Sequence, residues 1–194
     1  YRTYSWCELV ALIDGFAIDL VRHGLRAGDT IFVGAPNRIE TVIALLAASR
    51  GGFVCCPSPH RNHTIADIAD MCRRASCAIY VHQPGHGADA DGDEILPLIR
   101  DLASIRHIYE LPADAAGAPF GGNTGRAGAM APPAGNPDLI KYLAFTSGST
   151  GKPKGVMHSD NTQLVAARGI AGAWDLGTHT VTLSLSPFSH NLGC

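Results

Sequence analysis

TIFVGAPNRIETVIALLAASRGGFVCC, residues 30 to 56, decides the fold. Its first five residues, TIFVG, are an apolar run too short for a helix and rich in β-branched side chains, so they read as a buried strand. Asn37 and Glu40 stand at the spacing of helix-opening residues ahead of IETVIALLAASR, and Gly51 and Gly52 close that helix. FVCC (53–56) is a second buried strand. Both strands are continuously apolar rather than alternating. That is the pattern of parallel strands covered on both faces and joined by a right-handed crossover.

The same alternation extends in both directions. Upstream, Ser5 and Glu8 stand at capping-box spacing, and Leu9, Leu12, Ile13, Phe16, Leu20 and Val21 recur at three- and four-residue steps until Gly24. Downstream, Thr64 with Asp67 caps a third helix through about Ala75, and AIYVH (78–82) makes a third strand. A fourth unit follows, with a helix near Asp93 to Ala103 and a strand at HIYEL (107–111). LIKYLAFT (139–146) and GVMHS (155–159) are strands on either side of a loop; Ser159 or Asp160 caps a helix through about Trp174, and VTLSLS (181–186) is a further strand. The fold class is α/β, a mostly parallel sheet flanked by helices. The expected organisation is an α/β subdomain over 1–111, a connection over 112–137 and, from 138 to 194, the loop-bearing part of the same large domain. The connection is dominated by Ala, Gly and Pro with hardly a bulky apolar residue, and is expected to be flexible.

Composition narrows the function classes. A formal net charge of −2 gives no global attraction to nucleic acid or an anionic membrane, so any anion site is local. No apolar run approaches the ~18 residues of a membrane span, and the opening YRTYSWCELV lacks the basic-then-apolar pattern of a secretory signal, so a cytoplasmic protein is expected. The six cysteines show no CxxC pair and are expected to be reduced core residues. Cys55 and Cys56 followed by His60 and His63 suggest zinc, but adjacent cysteines rarely aim both sulfurs at one ion. DADGDE (89–94) suggests a calcium loop, but it lacks the sixth-position Gly, and Arg100 stands where a bidentate Glu belongs; a solvated turn fits better.

The chemistry concentrates in TSGSTGKPKG (146–155). Gly148 and Gly151 let the backbone turn N–H groups inward, and Thr146, Ser147, Ser149, Thr150, Lys152 and Lys154 supply further donors. Such a loop suits phosphate oxygens. A solvent-exposed polar turn is the alternative, yet this donor density directly follows a buried strand, where α/β proteins place ligands. It is not a Walker loop: Thr146 takes the place of the first glycine and Pro153 that of the magnesium-binding hydroxyl. Pro153 also biases Lys152 away from helical angles, so the chain is expected to leave the loop as an extended hairpin.

YLAFTSGSTGKPKGVMHSD (142–160) resembles the signature of the adenylate-forming superfamily, which includes acyl-CoA synthetases and the adenylation domains of peptide synthetases. YSWCELVALIDGFAIDLVRHGLRAGDTIFVGAPNRIETVIALLAASRGGFVCCPSP (4–59) is similar to the family's amino-terminal region, and SPFSHNLG (186–193) to its Pro-aromatic-x-His turn. The resemblance implies activation of a small carboxylic acid by ATP with Mg2+, then transfer of the acyl group to coenzyme A. It implies that Thr146, Ser147, Gly148, Ser149, Thr150, Gly151, Lys152, Pro153 and Lys154 hold the β- and γ-phosphates, and that His190 gates or lines the acyl pocket. Metal ligands are unassigned. The family's Tyr-Gly-x-Thr-Glu and Thr-Gly-Asp segments and carboxy-terminal lysine have no counterpart here, so the chain is expected to be a fragment inactive by itself. Three readings stay open: an acyl-CoA synthetase, an adenylation module loading an amino or aryl acid onto a carrier-protein thiol, and a non-catalytic nucleotide-binding remnant.

Overall fold

The computed structural model describes residues 2–57, 63–87, 94–113, 120, 135–146, 152–183 and 185–189. Eleven elements follow in chain order: α1 (Trp6–Arg22), β1 (Thr30–Gly34), α2 (Ile39–Gly51), β2 (Val54–Pro57), α3 (Ile65–Arg74), β3 (Cys77–His82), α4 (Leu96–Arg100), β4 (His107–Glu110), β5 (Ile140–Phe145), β6 (Gly155–Ser159) and α5 (Asp160–Ala173). The strands form one six-stranded sheet in the order β4-β3-β1-β2-β5-β6. Every neighbouring pair is parallel except β5 with β6, which is antiparallel.

Strand alternation builds a core on each face. Ile31, Val33, Cys55, Ile79 and Val81 meet Leu12, Phe16 and Leu20 of α1 and Ile43, Ala44 and Ala47 of α2. Phe32, Cys56 and Tyr80 point the other way, to Ile68, Met71 and Cys72 of α3 and Ile99 of α4. The central strands are therefore apolar throughout because each face has its own helices. Each fully buried Leu, Ile or Phe contributes about 1.5–3 kcal/mol.

Local signals set the helix ends. Ser5 and Thr64 both form complete capping boxes, with Glu8 and Asp67 returning a carboxylate to the cap N–H at 2.7 Å and 3.0 Å. Gly52 ends α2 at φ 78°, a left-handed value that suits glycine. Arg50 of α2 reaches the buried Asp14 of α1 at 3.0 Å, tying the two helices on one face.

Three expectations change. Asn37 does not open α2: the cap is Arg38, which makes no side-chain cap bond, because the Asn37 amide is taken by residues 186 and 188. VTLSLS forms no strand among its described residues, and Val181, Leu183 and Leu185 are 96%, 80% and 84% exposed. Alternation shows that a segment suits a half-buried surface, not that a neighbour is present. Cys7 is exposed and is no core residue, whereas Cys55, Cys56, Cys72 and Cys77 are buried. Among the described residues of 112–137, Phe120 stacks on Phe16 with ring centroids 3.7 Å apart. The acidic stretch 89–93 and His60 lie outside the described residues.

Cys55 and Cys56 lie in opposite cores, so their thiols cannot converge on one ion. Burial pushes the Cys56 and Cys72 thiols well above the usual range, with neighbouring cysteines adding to the effect. Under native conditions, timed alkylation read by mass spectrometry is expected to label Cys7 promptly and Cys55, Cys56, Cys72 and Cys77 only on unfolding.

At the β4 edge, His107 stacks on His23 at 3.8 Å, and the Tyr109 hydroxyl donates to Asp19 at 2.6 Å. Burial, then His23, lowers the His107 pKa against the opposing pull of Asp19. The unfolded chain therefore binds the extra proton first, and stability falls as pH drops below about 6.5. Thermal melts between pH 7.5 and 5.5 are expected to show this slope, and His107→Phe, which keeps an aromatic ring on His23, is expected to flatten it.

Candidate functional site

β5 ends at Phe145 and β6 begins opposite it, with Phe145 paired to Gly155 and Ala144 to Val156. The loop between them is thus a hairpin loop, as the proline predicts, and not the strand-to-helix turn of a Walker site. Its neck is closed twice. The Thr146 N–H donates to the Lys154 carbonyl at 2.9 Å, and the Lys154 N–H donates to Thr146 Oγ1 at 3.2 Å. Gly155 suits the neck because a Cβ there would meet Leu143 Cδ1 at 3.0 Å.

Pro153 is buried, while Lys152 and Lys154 on either side are exposed. A seated proline between two solvated ammonium groups gives the loop a fixed base and presents its charges outward. Arg74, at the end of α3, donates from Nη1 to the Pro153 carbonyl at 2.8 Å and lies 5.4 Å from the centre of the Phe145 ring. Its guanidinium also approaches Asp70 at 3.8 Å. The structure therefore brings together Thr146, Lys152, Pro153 and Lys154, and adds Arg74. Ser147, Gly148, Ser149, Thr150, Gly151 and His190 lie outside the described residues.

The opposite face of β5 holds a second anchor. Phe145 and Leu143 belong with the α3–α4 core, so alternation turns Tyr142 toward the α1–α2 face. Its ring is fully buried, and its hydroxyl donates to the Phe188 carbonyl at 3.0 Å. Asn37 closes on the same segment, its Nδ2 donating to the Ser186 carbonyl at 2.7 Å and its Oδ1 accepting the Phe188 N–H at 2.9 Å.

Sequence reasoning missed Arg74, Tyr142 and Asn37 as site-supporting residues. Each acts across a long separation, and the local pattern assigned each another job: helix end, core strand, helix opening. Among the described residues no group of three or more His, Cys, Asp and Glu side chains forms a metal cluster, and none of the helices is long and apolar enough to cross a membrane.

Comparison with known proteins places this geometry in a family. The profile of the AMP-binding enzymes matches residues 1–194. A 3-[(3aS,4S,7aS)-7a-methyl-1,5-dioxo-octahydro-1H-inden-4-yl]propanoyl:CoA ligase of Mycobacterium tuberculosis is 27% identical over 99% of this chain and 38% of its own length. Pyochelin synthase PchD of Pseudomonas aeruginosa is 28% identical over 96% of this chain and 34% of its own. Among solved structures, ATP-bound MatB from Rhodopseudomonas palustris superposes with a TM-score of 0.83 at 24% identity, over 99% of this chain and 37% of that one. The chain belongs to the AMP-binding, adenylate-forming enzyme family. It spans little more than a third of the length of these relatives.

Arg74 is expected to hold the loop base. In Arg74→Ala, hydrogen exchange at the Thr146 and Lys154 amides should accelerate while the α1 and β1 amides stay protected, with a stability loss of about 1–2 kcal/mol. Unchanged exchange at both neck amides would remove Arg74 from this role.

Proposed function

We propose that this chain carries the phosphate-gripping part of an enzyme that uses ATP to activate a carboxylic acid as an acyl adenylate and then passes the acyl group to coenzyme A. The observation that carries the reading is the hairpin neck. It is closed at Thr146 and Lys154, seated on Pro153 and flanked by two exposed lysines, under a loop rich in glycine and hydroxyls. Family membership supports ATP as the nucleotide, and the CoA-ligase relative supports the thiol acceptor.

In the first step a carboxylate oxygen attacks the α-phosphorus, the bond from that phosphorus to the bridging oxygen breaks, and pyrophosphate leaves with the electron pair. Charge accumulates on the departing group. Backbone N–H groups of the loop, the hydroxyls of Thr146, Ser147, Ser149 and Thr150, and the Lys152 and Lys154 ammonium groups are the donors that would meet it. Magnesium brought in with the nucleotide would neutralise phosphate oxygens further, with no ligand among the described residues assigned to it. In the second step a thiolate attacks the acyl carbon and AMP leaves. His190 is assigned to the boundary between nucleotide and acid. Residues 1–111 would form an α/β subdomain of this enzyme, 112–137 a connection, and 138–194 the start of the loop-bearing part of the same large domain.

A second reading, loading of an amino or aryl acid onto a carrier-protein thiol, is favoured by the similarity to pyochelin synthase. Acid-dependent ATP–pyrophosphate exchange by the full-length gene product, over a panel of carboxylates, tests the step common to both. Lys154→Ala is expected to slow exchange by about 10²–10³-fold, and His190→Ala to raise the KM for the acid. Acyl transfer to coenzyme A but not to a carrier domain selects the first reading. Normal exchange in the Lys154→Ala enzyme would overturn the phosphate assignment.

A further inference from the structure

Residues 181–185 leave their large apolar side chains exposed, yet the chain immediately beyond is held on three sides. Around Pro187, which has no N–H, three backbone groups are gripped: the Ser186 carbonyl, the Phe188 N–H and the Phe188 carbonyl. All three are taken by side chains far away in sequence: the first two by Asn37, at 2.7 and 2.9 Å, and the third by Tyr142, at 3.0 Å.

The two anchors come from the sheet and the turn beside it. Asn37 follows β1, the strand flanked by β2 and β3 inside the parallel body. Tyr142 lies on β5, four residues before Thr146, so the neck of the phosphate loop and the hydroxyl that holds Phe188 are set by one strand, about 13 Å apart along it. A hydroxyl at the end of a fully buried ring has few directions open to it, and here it meets a backbone carbonyl. The grip falls on backbone atoms, which fixes the path of the chain whatever side chains the turn carries.

We propose that Asn37 and Tyr142 are positioning residues. Together they fix the 186–188 turn against the strand that bears the phosphate loop, and so set where the acid's carboxylate meets the nucleotide. This rests on the function proposed above, in which the turn leading to His190 borders the acid. The clamp predicts a specific kinetic signature. Loosening it displaces the acid side of the site while the phosphate neck, held by Thr146, Lys154 and Arg74, keeps its geometry.

The test uses the full-length gene product with Tyr142→Phe, Asn37→Ala, Asn37→Asp and the Tyr142→Phe/Asn37→Ala pair, each checked for an unaltered fold by its melting profile. Tyr142→Phe removes one oxygen from an otherwise intact ring, so it guards against a variant that fails to fold. In acid-dependent ATP–pyrophosphate exchange, each single variant is expected to lower kcat/KM for the acid by about 5- to 30-fold with the KM for ATP within about twofold. The pair should lose less than the product of the single losses, because both side chains hold the same peptide. Asn37→Asp, which retains only the acceptor, should fall between Asn37 and Asn37→Ala or below them both, never at the wild-type value. Hydrogen exchange at the Phe188 amide should quicken in Asn37→Ala and in the pair, which lose the acceptor for that N–H. Equal shifts for acid and ATP, or no shift for either in an active enzyme, overturn the positioning role and leave the proposed function standing. A wild-type enzyme that exchanges with no acid overturns the proposed function and this role with it. Unchanged Phe188 exchange in all variants overturns the clamp itself.

Discussion

Everything functional in this chain hangs on β5 lying beside β2, with Tyr142 opposite Cys55. That pairing docks the β5–β6 hairpin onto a four-stranded parallel body whose two faces are already covered by helices. Because side chains alternate along β5, one strand is braced on both sides: Phe145 and Leu143 pack on the α3–α4 face, and Tyr142 goes to the other. The loop after Phe145 therefore starts from a strand that cannot slip by one residue without turning Tyr142 and Phe145 to the wrong cores. Register is the constraint that places the neck at Thr146 and Lys154.

The electrostatics are correspondingly local. A chain with net charge −2 has no general attraction for a triphosphate, so on the proposed reading attraction would come from charges held near one point. Lys152 and Lys154 are separated by a buried proline, and Arg74 comes from another helix to the same turn. Arg74 spends a hydrogen bond on the Pro153 carbonyl and stands over the Phe145 ring, so its main contribution is mechanical. The lysines, exposed on either side, are the groups left facing outward. One arginine steadies the base so that two flexible cations work from a fixed origin.

The parallel body was legible in the sequence because its signals are local. Capping boxes at Ser5 and Thr64, the apolar runs of β1 and β3 and the glycines after α2 each act within a few residues, and all are where the pattern puts them. The hairpin was legible too, from one proline. What escaped the pattern depends on distant partners. Asn37 carries a good helix-opening side chain three residues before Glu40, yet its amide bonds instead to residues 186 and 188. VTLSLS has the right alternation for a strand, but alternation contains no information about a neighbour. Arg74 and Tyr142 sit where a helix end and a core strand need no explanation, so nothing in their surroundings marks them as supports for a loop or a turn.

The choice of an amide at position 37 has its own physical reason. The turn offers a carbonyl at Ser186 and an N–H at Phe188, so the clamp needs one donor and one acceptor in a single rigid plane. A carboxamide supplies both. A carboxylate would keep the bond to the N–H but set negative charge against the Ser186 carbonyl, and a cation would hold the carbonyl and lose the N–H. A neutral clamp also adds no charge of its own beside chemistry that, on the proposed reading, moves negative charge between phosphates and an acid. The hydroxyl of Tyr142 meets the same requirement, since it donates one proton to the Phe188 carbonyl without a formal charge. On the proposed reading, the lysines of the loop would attract phosphates at one end while the neutral dipoles of Asn37 and Tyr142 fix a backbone path at the other, without the two demands interfering.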